Sequence, residues 1–264
     1  MTAIRAVVHG AAGRMGQEVL AALCKESGVE AAGAVELQIE TDSLPLPDGT
    51  GSVPYSSNLE DILIRCHPDV LVDFTGSESA MSAARTSAMH RVNLVIGTTG
   101  LSTENLNEIE QLANNHSIGA IVAPNFALGA IIMIHLAKIA ARFFDYAEII
   151  ELHHDKKADA PSGTALSTGR AMIEARDKPF SYCAAQKEIL SSRGGQLEGI
   201  AYHSIRLPGL MAHQEIIFGA AGQTLKIRHD TINRECYMPG VMLAVKEVVK
   251  RKGLVYGLDT LLGL

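Results

Sequence analysis

The sequence predicts an α/β fold in which a domain with a parallel sheet is joined to an α+β domain with a mixed sheet. Three observations support this prediction. Between residues 4 and 122, short β-branched runs alternate with helix-like stretches, which is the pattern of βαβ units. A glycine-rich turn follows the first run. After Asn125 a long helical stretch is followed by strand-like runs of a second, mixed sheet.

In the first half of the chain, the predicted strands are short and apolar. They are Ile4–Val8, Ala31–Val35, Val70–Phe74, Leu94–Ile96 and Ile118–Ala123. The predicted helices between them are Met15–Cys24, Ser79–His90 and Thr103–His116. Glu104 and Glu108 lie toward the start of the last helix, where carboxylates suit the helix dipole. The Pro- and Gly-rich segment Leu44–Tyr55 is predicted to be a surface loop.

The second half begins with a long amphipathic helix, Leu128–Phe144. The strand-like runs that follow are Glu148–Leu152, Gly199–Leu207, Gln214–Phe218 and Thr224–His229, and the helices are Thr164–Arg176 and Gly240–Lys252. The final helix is expected to pack back on the first domain. We therefore predict that residues 1–125 and 235–264 form one domain and residues 126–234 form a second.

Composition excludes several classes of protein. The chain has 264 residues, 47% of them hydrophobic, which suffices for a real core. With 23 Lys and Arg against 29 Asp and Glu, and no basic stripe, nucleic acid is not an expected partner. The longest apolar stretch, Phe126–Ile134, is far shorter than the ~20 residues that span a bilayer. The N-terminus does not resemble a signal peptide, so we expect a cytoplasmic protein without membrane association.

The first motif runs from Gly10 to Gly16 and reads G-x-x-G-x-x-G between a strand and a helix. Small residues at this turn let the backbone approach a pyrophosphate, and the helix N-terminus directs N–H groups toward it. Glu36 ends the second strand about 20 residues later, where a carboxylate accepts hydrogen bonds from ribose hydroxyls. The motif therefore favours a Rossmann-type dinucleotide-binding domain over an ordinary tight turn.

The charges after the second strand indicate which dinucleotide binds. A 2′-phosphate requires a nearby cation, but no Lys or Arg occurs between Lys25 and Arg65, and this interval is acidic. NADH is therefore favoured over NADPH, although Arg14 could offer one positive charge. The alternative is that the interval is only an acidic, solvated loop.

The second motif runs from Glu151 to Leu166, between a strand and a helix. His153 or His154 has a pKa suited to general acid catalysis, and Lys157 can bind an anion. The Ser162–Thr164 turn would present N–H groups to a carboxylate at a helix start. Adjacent histidines on a strand point to opposite faces, and the cysteines are far from them, so no metal is expected.

These residues resemble the signature of the dihydrodipicolinate reductase family, E-x-H-H-x-x-K-x-D-A-P-S-G-T-A. Further segments are similar to family segments along the whole chain: Gly10–Gly16, Asp73–Thr75, Gly97–Gly100, Ala123–Phe126 and Arg206–Gly219. The resemblance implies an NAD(P)H-dependent reduction of a dihydrodipicolinate-type intermediate in the diaminopimelate route to lysine. It also implies a homotetramer built through the sheet of the second domain, residues 126–234.

Residue roles follow from the resemblance. His153 would be the general acid, and Lys157 would assist protonation and hold a carboxylate of the dicarboxylate substrate. The other substrate-binding residues would be His154, Gly163 and Thr164. The cofactor-binding residues would be Gly10, Ala11, Ala12, Gly13, Arg14, Met15, Glu36, Gly97, Thr98, Thr99, Ala123, Pro124, Asn125 and Phe126.

One position departs from the family pattern. Many family members that use NADPH well have Arg directly after the acidic residue, and this chain has Leu37 there. This departure agrees with the preference for NADH. Two alternatives remain at this point: a different nicotinamide-dependent oxidoreductase, such as an amino-acid dehydrogenase, or a protein that senses NADH without turnover.

Overall fold

Two sheets organise the chain, and each belongs to a separate unit. The structure is a computed structural model that describes residues 2–187, 189–190 and 192–264. Unit 1 comprises the residues up to Leu128 together with Arg234–Leu264, and unit 2 comprises Gly129–Asn233. Unit 2 is thus one continuous segment that interrupts the sequence of unit 1.

The strands are β1 (Ile4–His9), β2 (Val29–Val35), β3 (Ser43–Pro45), β4 (Ser52–Ser56), β5 (Val70–Asp73), β6 (Asn93–Ile96), β7 (Gly119–Val122), β8 (Tyr146–His153), β9 (Gly195–Leu197), β10 (Ile200–Arg206), β11 (Ala212–Ala220), β12 (Gln223–Thr231) and β13 (Gly253–Tyr256). The α-helices are α1 (Arg14–Lys25), α2 (Leu59–Cys66), α3 (Ser77–Met89), α4 (Thr103–His116), α5 (Leu128–Ala141), α6 (Gly163–Glu174), α7 (Met238–Val248) and α8 (Leu258–Leu262). A 3₁₀ helix, Arg234–Tyr237, precedes α7.

Unit 1 contains a sheet in the order β13-β7-β6-β5-β1-β2-β4-β3. Its strands pair in parallel, apart from the short antiparallel edge strand β3. The central strands are buried on both faces, which explains their continuous apolar character. All their carboxyl ends lie at one edge, where an open α/β sheet binds its ligands.

Helices cover this sheet in two groups. Helices α1 and α7 pack together and contact the central strands. Helix α3 contacts both α2 and α4, and these three helices also contact the strands. Successive residues of β1 separate the two groups: Val7 packs in the cluster with α2, α3 and α4, whereas the equally buried Val8 lies outside it. The apolar strands thus fill two cores, one on each face.

Unit 2 contains a mixed sheet in the order β12-β11-β8-β10-β9, in which β8 and β10 are parallel and the other pairs are antiparallel. Its core joins Met133 of α5 and Met172 of α6 to Ile149 and Phe218 of the sheet. The two sheets together confirm the predicted fold class, a Rossmann-type parallel sheet plus an α+β domain with a mixed sheet.

One predicted element is wrong. The segment Leu44–Tyr55 is not only a surface loop, since it contains most of β3 and most of β4. Val53 and Tyr55 alternate with exposed or partly buried residues and are themselves buried, and β4 extends the parallel sheet beside β2. The prolines and glycines around this short strand conceal its alternation in the sequence.

Some helices end at different residues from those predicted. Helix α7 ends at Val248 rather than Lys252, because the chain then turns into β13, which pairs with β7. Helix α7 packs within unit 1, as predicted. Within the described residues, none of the helices has the length and apolar character that crossing a membrane requires.

Candidate active site

The glycine turn of unit 1 packs so closely against neighbouring atoms that Gly10 and Gly16 have no room for a side chain. Gly10 has a φ of +81°, and a Cβ there would lie 2.9 Å from Thr75 Cγ2. A Cβ on Gly16 would lie 2.1 Å from the Gly10 carbonyl oxygen. Gly13 is the N-cap residue of α1 and has no side chain to cap it, so the first N–H groups of the helix remain available to an anion. These features fit the diphosphate of a dinucleotide.

The other predicted residues of this turn have distinct environments. Ala11 is buried, Ala12 and Gly13 are exposed, and Met15 is partly buried at the first turn of α1. Arg14 is exposed and forms no ion pair with the residues that the structure describes. The turn therefore offers backbone N–H groups and one unpaired guanidinium group.

Glu36 follows β2 at the same carboxyl edge. Its carboxylate accepts hydrogen bonds from the backbone N–H groups of Ala12, at 3.1 Å, and Leu37, at 2.9 Å. The bond to Ala12 orients the carboxylate over the glycine turn. The Leu37 side chain is 79% exposed and supplies no charge for a 2′-phosphate.

The predicted nicotinamide-side residues follow β6 and β7. Gly97 must lack a side chain, because a Cβ there would lie 2.1 Å from the ring of Phe74. The Phe74 ring also packs against Phe126, with 5.9 Å between the ring centroids. Thr98, Ala123 and Phe126 are buried, Asn125 is partly buried, and Thr99 and Pro124 are exposed. All the predicted cofactor residues are thus brought to the carboxyl edge of one sheet.

The second site lies in unit 2 around Glu151, whose side chain is completely buried in β8. Both of its oxygens accept hydrogen bonds from the guanidinium of Arg206, at 2.7 and 2.9 Å. The backbone N–H of Ser162 also donates to it, at 3.3 Å, and the Nδ1 atom of His153 contacts it. These partners compensate for burying the carboxylate.

The contact with Glu151 fixes the orientation of His153. His153 is the last residue of β8, and Nδ1 faces the carboxylate, so Nε2 is the ring nitrogen left for another partner. Burial is the largest effect on its pKa and lowers it below the usual histidine value. Glu151 opposes this shift, whereas the positive charges of Lys157 and Arg206 lower the pKa further.

Glu151 itself stays ionised. Burial alone would raise its pKa, but hydrogen bonds from Arg206, Ser204 and His153 outweigh burial and hold the pKa below its usual range. The carboxylate therefore remains an acceptor for His153 across the neutral pH range.

The loop after β8 carries the predicted anion-binding side chains. Lys157 is partly buried and donates a hydrogen bond to Asp159, at 2.7 Å. That bond is the main reason why the pKa of Asp159 is lowered, and the N–H of Gly163 contributes to the same shift. His154 is exposed beside the loop. The Asp159 carboxylate thus marks a position at which both Lys157 and the N–H of Gly163 can stabilise an anionic group.

Helix α6 begins at this loop after a cis Ala160–Pro161 peptide bond. Ser162 caps the helix by accepting a hydrogen bond from the N–H of Ala165, at 3.1 Å. Gly163 is exposed, and a Cβ there would meet no atom within 4 Å. Thr164 follows it, partly buried, in the first turn. The structure thus gathers the five predicted catalytic and substrate-binding residues around the end of β8 and the start of α6.

Two important side chains were absent from the predicted site. Glu151 belongs to the second motif, but its burial is not visible in the sequence. Arg206 lies more than fifty residues later and reaches the site because β10 pairs in parallel with β8, placing Arg206 opposite His153. Within the described part of the chain, no group of three or more His, Cys, Asp or Glu residues could hold a metal ion.

Comparisons with known proteins cover the whole chain. A family model described as dihydrodipicolinate reductase, N-terminus, matches residues 4–126, and one described as dihydrodipicolinate reductase, C-terminus, matches residues 129–262. A 4-hydroxy-tetrahydrodipicolinate reductase of Dehalococcoides mccartyi is 59% identical over 264 residues, covering 100% of both chains. One from Moorella thermoacetica is 48% identical over 263 residues, covering 98% of each.

Solved structures agree with these relatives. A dipicolinate-bound dihydrodipicolinate reductase from Paenisporosarcina sp. TG-14 has a TM-score of 0.88 and 38% identity, covering 98% of this chain and 99% of that one. An amine dehydrogenase from Mycobacterium smegmatis has a TM-score of 0.64 at 19% identity and covers 96% of this chain and 94% of that one. At that identity the second likeness concerns the fold alone.

Proposed function

Because the chain belongs to the dihydrodipicolinate reductase family, we propose individual roles for the residues of the two sites. The chain reduces 4-hydroxy-tetrahydrodipicolinate to tetrahydrodipicolinate with NAD(P)H, in the diaminopimelate route to lysine. Its N-terminal part is an NAD(P)-binding Rossmann domain. The family membership confirms the predicted resemblance, and the activity removes the two alternatives considered from the sequence.

His153 is the proton donor in this proposal. NAD(P)H, when bound, would supply a hydride. Loss of the 4-hydroxyl group of the substrate as water gives a conjugated imine, and addition of the hydride to that imine leaves an enamine carbon that needs a proton. The observation that carries the assignment is the contact of Nδ1 with the buried Glu151, which leaves Nε2 to deliver that proton. Arg206 and Ser162 hold Glu151 in place and thereby position the donor.

Lys157 and the start of α6 bind the dicarboxylate substrate. Lys157 supplies a point charge, while His154 and the backbone N–H groups at Gly163 and Thr164 supply hydrogen-bond donors. The exposed Asp159 is the present partner of Lys157. A substrate carboxylate takes over that partnership, which keeps Lys157 beside the group to be protonated. Two anchored carboxylates hold the ring in register and reduce the entropy lost in the reaction.

The cofactor-binding residues divide along the sheet edge. Gly10 to Met15 hold the phosphates, Glu36 holds the adenosine ribose, and the residues from Gly97 to Thr99 and from Ala123 to Phe126 line the nicotinamide. NADH is the preferred cofactor, because Glu36 is followed by Leu37 rather than a cation. Arg14 is the side chain that would allow some use of NADPH. Unit 1 is in this proposal the dinucleotide-binding domain, and unit 2 binds the substrate.

Unit 2 also mediates assembly into a homotetramer. Ile150, Ile205 and Ile217 lie outside the core of the unit and are only partly buried. Strand register places them on the face opposite Ile149 and Phe218. The same face also carries Glu148, His203 and Glu215. A sheet face that combines apolar side chains with paired polar ones favours a second copy as its partner. Light scattering on purified protein measures the number of copies.

Kinetics with both cofactors tests the roles of His153 and Lys157. Oxidation of NADH and NADPH is followed with the freshly made product of dihydrodipicolinate synthase. His153→Gln should lower kcat by about 100-fold or more with little change in KM, because only the proton donor is lost. Lys157→Ala should lower kcat and raise the substrate KM, and its neighbour variant Lys156→Ala should do neither.

Equal and small effects of His153→Gln and Lys157→Ala would contradict these roles while leaving the activity itself intact. Equal or better use of NADPH by the wild type would contradict only the cofactor preference and would direct attention to Arg14.

A further inference from the structure

A buried carboxylate lies at the carboxyl edge of the unit 1 sheet, apart from the residues assigned so far. Asp73 is the last residue of β5 and is 1% exposed. It contacts His9 Nδ1 at 2.6 Å and accepts hydrogen bonds from the hydroxyls of Thr98, at 2.6 Å, and Thr75, at 2.9 Å. A carboxylate buried this deeply requires such partners, so the four side chains form one network.

The network lies where the order of the sheet changes direction. His9 ends β1 and is the register partner of Asp73, which ends β5. Strands β2 and β4 continue the sheet beyond β1, and β6 and β7 continue it beyond β5. In open α/β sheets a ligand binds outside the carboxyl ends of the strands at such a switch point.

Each partner of Asp73 belongs to a different loop of that edge. His9 directly precedes Gly10 of the phosphate turn, and Thr75 precedes α3, with its methyl group against Gly10. Thr98 lies in the turn after β6, and its hydroxyl also accepts a hydrogen bond from the N–H of Thr75, at 2.9 Å. The Asp73 carboxylate thus connects the loops that follow β1, β5 and β6, which are far apart in the sequence.

The opposite edge of the same sheet has a useful counterpart. Asn93, at the start of β6, donates a hydrogen bond to the carbonyl of Asp69, at 2.8 Å, and accepts one from the N–H of Gly119, at 2.8 Å. It also connects neighbouring segments, but it lies at the amino ends of the strands, opposite the edge at which open α/β sheets bind their ligands. Substitution of Asn93 therefore serves as a control that shows how much a purely structural connection contributes to stability and to cofactor binding.

We propose that His9, Asp73, Thr75 and Thr98 form a positioning network for the dinucleotide. The network sets the phosphate turn and the Gly97–Thr99 turn at the spacing that one cofactor molecule must bridge, so it determines cofactor affinity. His9 and Thr75 act through Asp73 and need not touch the cofactor. The inference rests on the proposed binding of the dinucleotide at this edge.

Direct binding measurements test the network. The Kd of NADH, followed by its fluorescence, is compared between the wild type, His9→Leu, Thr75→Val, Thr75→Ser and Asn93→Ala, together with each melting temperature. We expect His9→Leu and Thr75→Val to raise the Kd about tenfold, with a parallel rise in the KM for NADH rather than a fall in kcat. Thr75→Ser keeps the hydroxyl and should recover most of the affinity.

Asn93→Ala should lower the melting temperature and leave the Kd for NADH unchanged. If His9→Leu fails to fold, Thr75→Val and Thr75→Ser still provide the comparison, because they differ from the wild type only by the hydroxyl or the methyl group. Unchanged affinity in Thr75→Val, or an equal loss in Asn93→Ala, would overturn the network. A wild type that binds no NADH would overturn both the network and the proposed cofactor site.

Discussion

At the scale of single residues, Glu151 determines what His153 can do. Its carboxylate is completely buried, yet it is ionised because Arg206 donates to both of its oxygens. It opposes the effect of burial, which lowers the pKa of His153. The free protein therefore holds a histidine that is mostly neutral at pH 7, and a dianionic ligand beside it favours the protonated form.

This arrangement predicts a particular pH dependence. A proton donor must be protonated, so kcat/KM, which reports the free enzyme, should fall as the pH rises through a pKa below about 6.5. In Glu151→Gln the interaction that raises this pKa is removed. The fall should then occur at lower pH, and kcat should decrease by about tenfold or more because the ring is no longer oriented.

Glu148→Gln is the matched control for Glu151→Gln. Glu148 lies on the same strand and is also paired with two side chains, Arg193 and His203, but it does not contact His153. A pH profile of kcat/KM that is unchanged in Glu151→Gln, or that shifts equally in both variants, would refute the positioning role of Glu151.

The sequence was sufficient to identify side chains that lie close together in the chain. The whole stretch from His153 to Thr164 is in one motif, so its convergence needs only one strand, one loop and one helix start. The pairing of Glu151 with Arg206 depends instead on the parallel register of β8 and β10. Register depends on packing across the sheet and is not encoded in any local pattern.

At the scale of elements, helix α6 combines a stabilising cap with the proposed substrate-binding turn. Ser162 caps the N-terminus of α6. It is next to the N–H groups of Gly163 and Thr164, which are proposed to hold a substrate carboxylate. Ser162→Ala should lower the free energy of unfolding by about 1 kcal/mol. It should also raise the KM for the dicarboxylate substrate severalfold, because the first turn loses its fixed orientation.

Helix α4 provides the control for this prediction. Ser102 caps it in the same way, and Asn105 completes a capping box, but α4 takes no part in the unit 2 site. Ser102→Ala should lower stability by a similar amount without affecting the substrate KM, as denaturant unfolding and kinetics can measure. Equal rises in KM would mean that Ser162 affects the substrate only through stability.

Strands made of continuous apolar residues were predicted well, whereas elements with a weak alternating or helical pattern were not. The strands from β1 to β7 that pack in the centre of the sheet are continuous apolar runs, which local patterns identify. Strand β4 was hidden because its alternation spans only Val53 and Tyr55 among prolines and glycines. Helix α2, capped by Asn58, was also missed, since its two turns give too few repeats for a periodic signal.

At the scale of the whole molecule, burial of two histidines connects stability to pH. Burial lowers the pKa of His153 and of His229, and nearby His213 lowers the latter further against the opposing effect of Asp230. The pKa values of both histidines in the folded protein lie below the unfolded value of about 6.5. At pH values between the folded and unfolded pKa, the unfolded chain therefore binds more protons than the folded protein. Their contribution is complete above about pH 6.5 and is lost as the pH falls toward the folded values.

Denaturant unfolding between pH 8 and pH 5 tests this expectation. The free energy of unfolding should decrease on acidification, by at most about 1.4 kcal/mol per pH unit for each histidine. His229→Gln should reduce the dependence of the free energy of unfolding on pH. The variant should also lower stability at every pH, because the His229 ring packs against Gly129. A slope that stays the same in both His153→Gln and His229→Gln would exclude these residues as its source.

The interruption of unit 1 by unit 2 also has a consequence for synthesis on the ribosome. The residues up to Leu128 emerge first, but the β7 edge has no neighbour until β13 has been made. Helix α7, which covers the central strands, is delayed in the same way. Unit 2 emerges as one uninterrupted segment and can complete its core while the nascent first sheet still has an open edge. The order of translation thus makes unit 2, which is proposed to bind the substrate, the first unit that can finish folding.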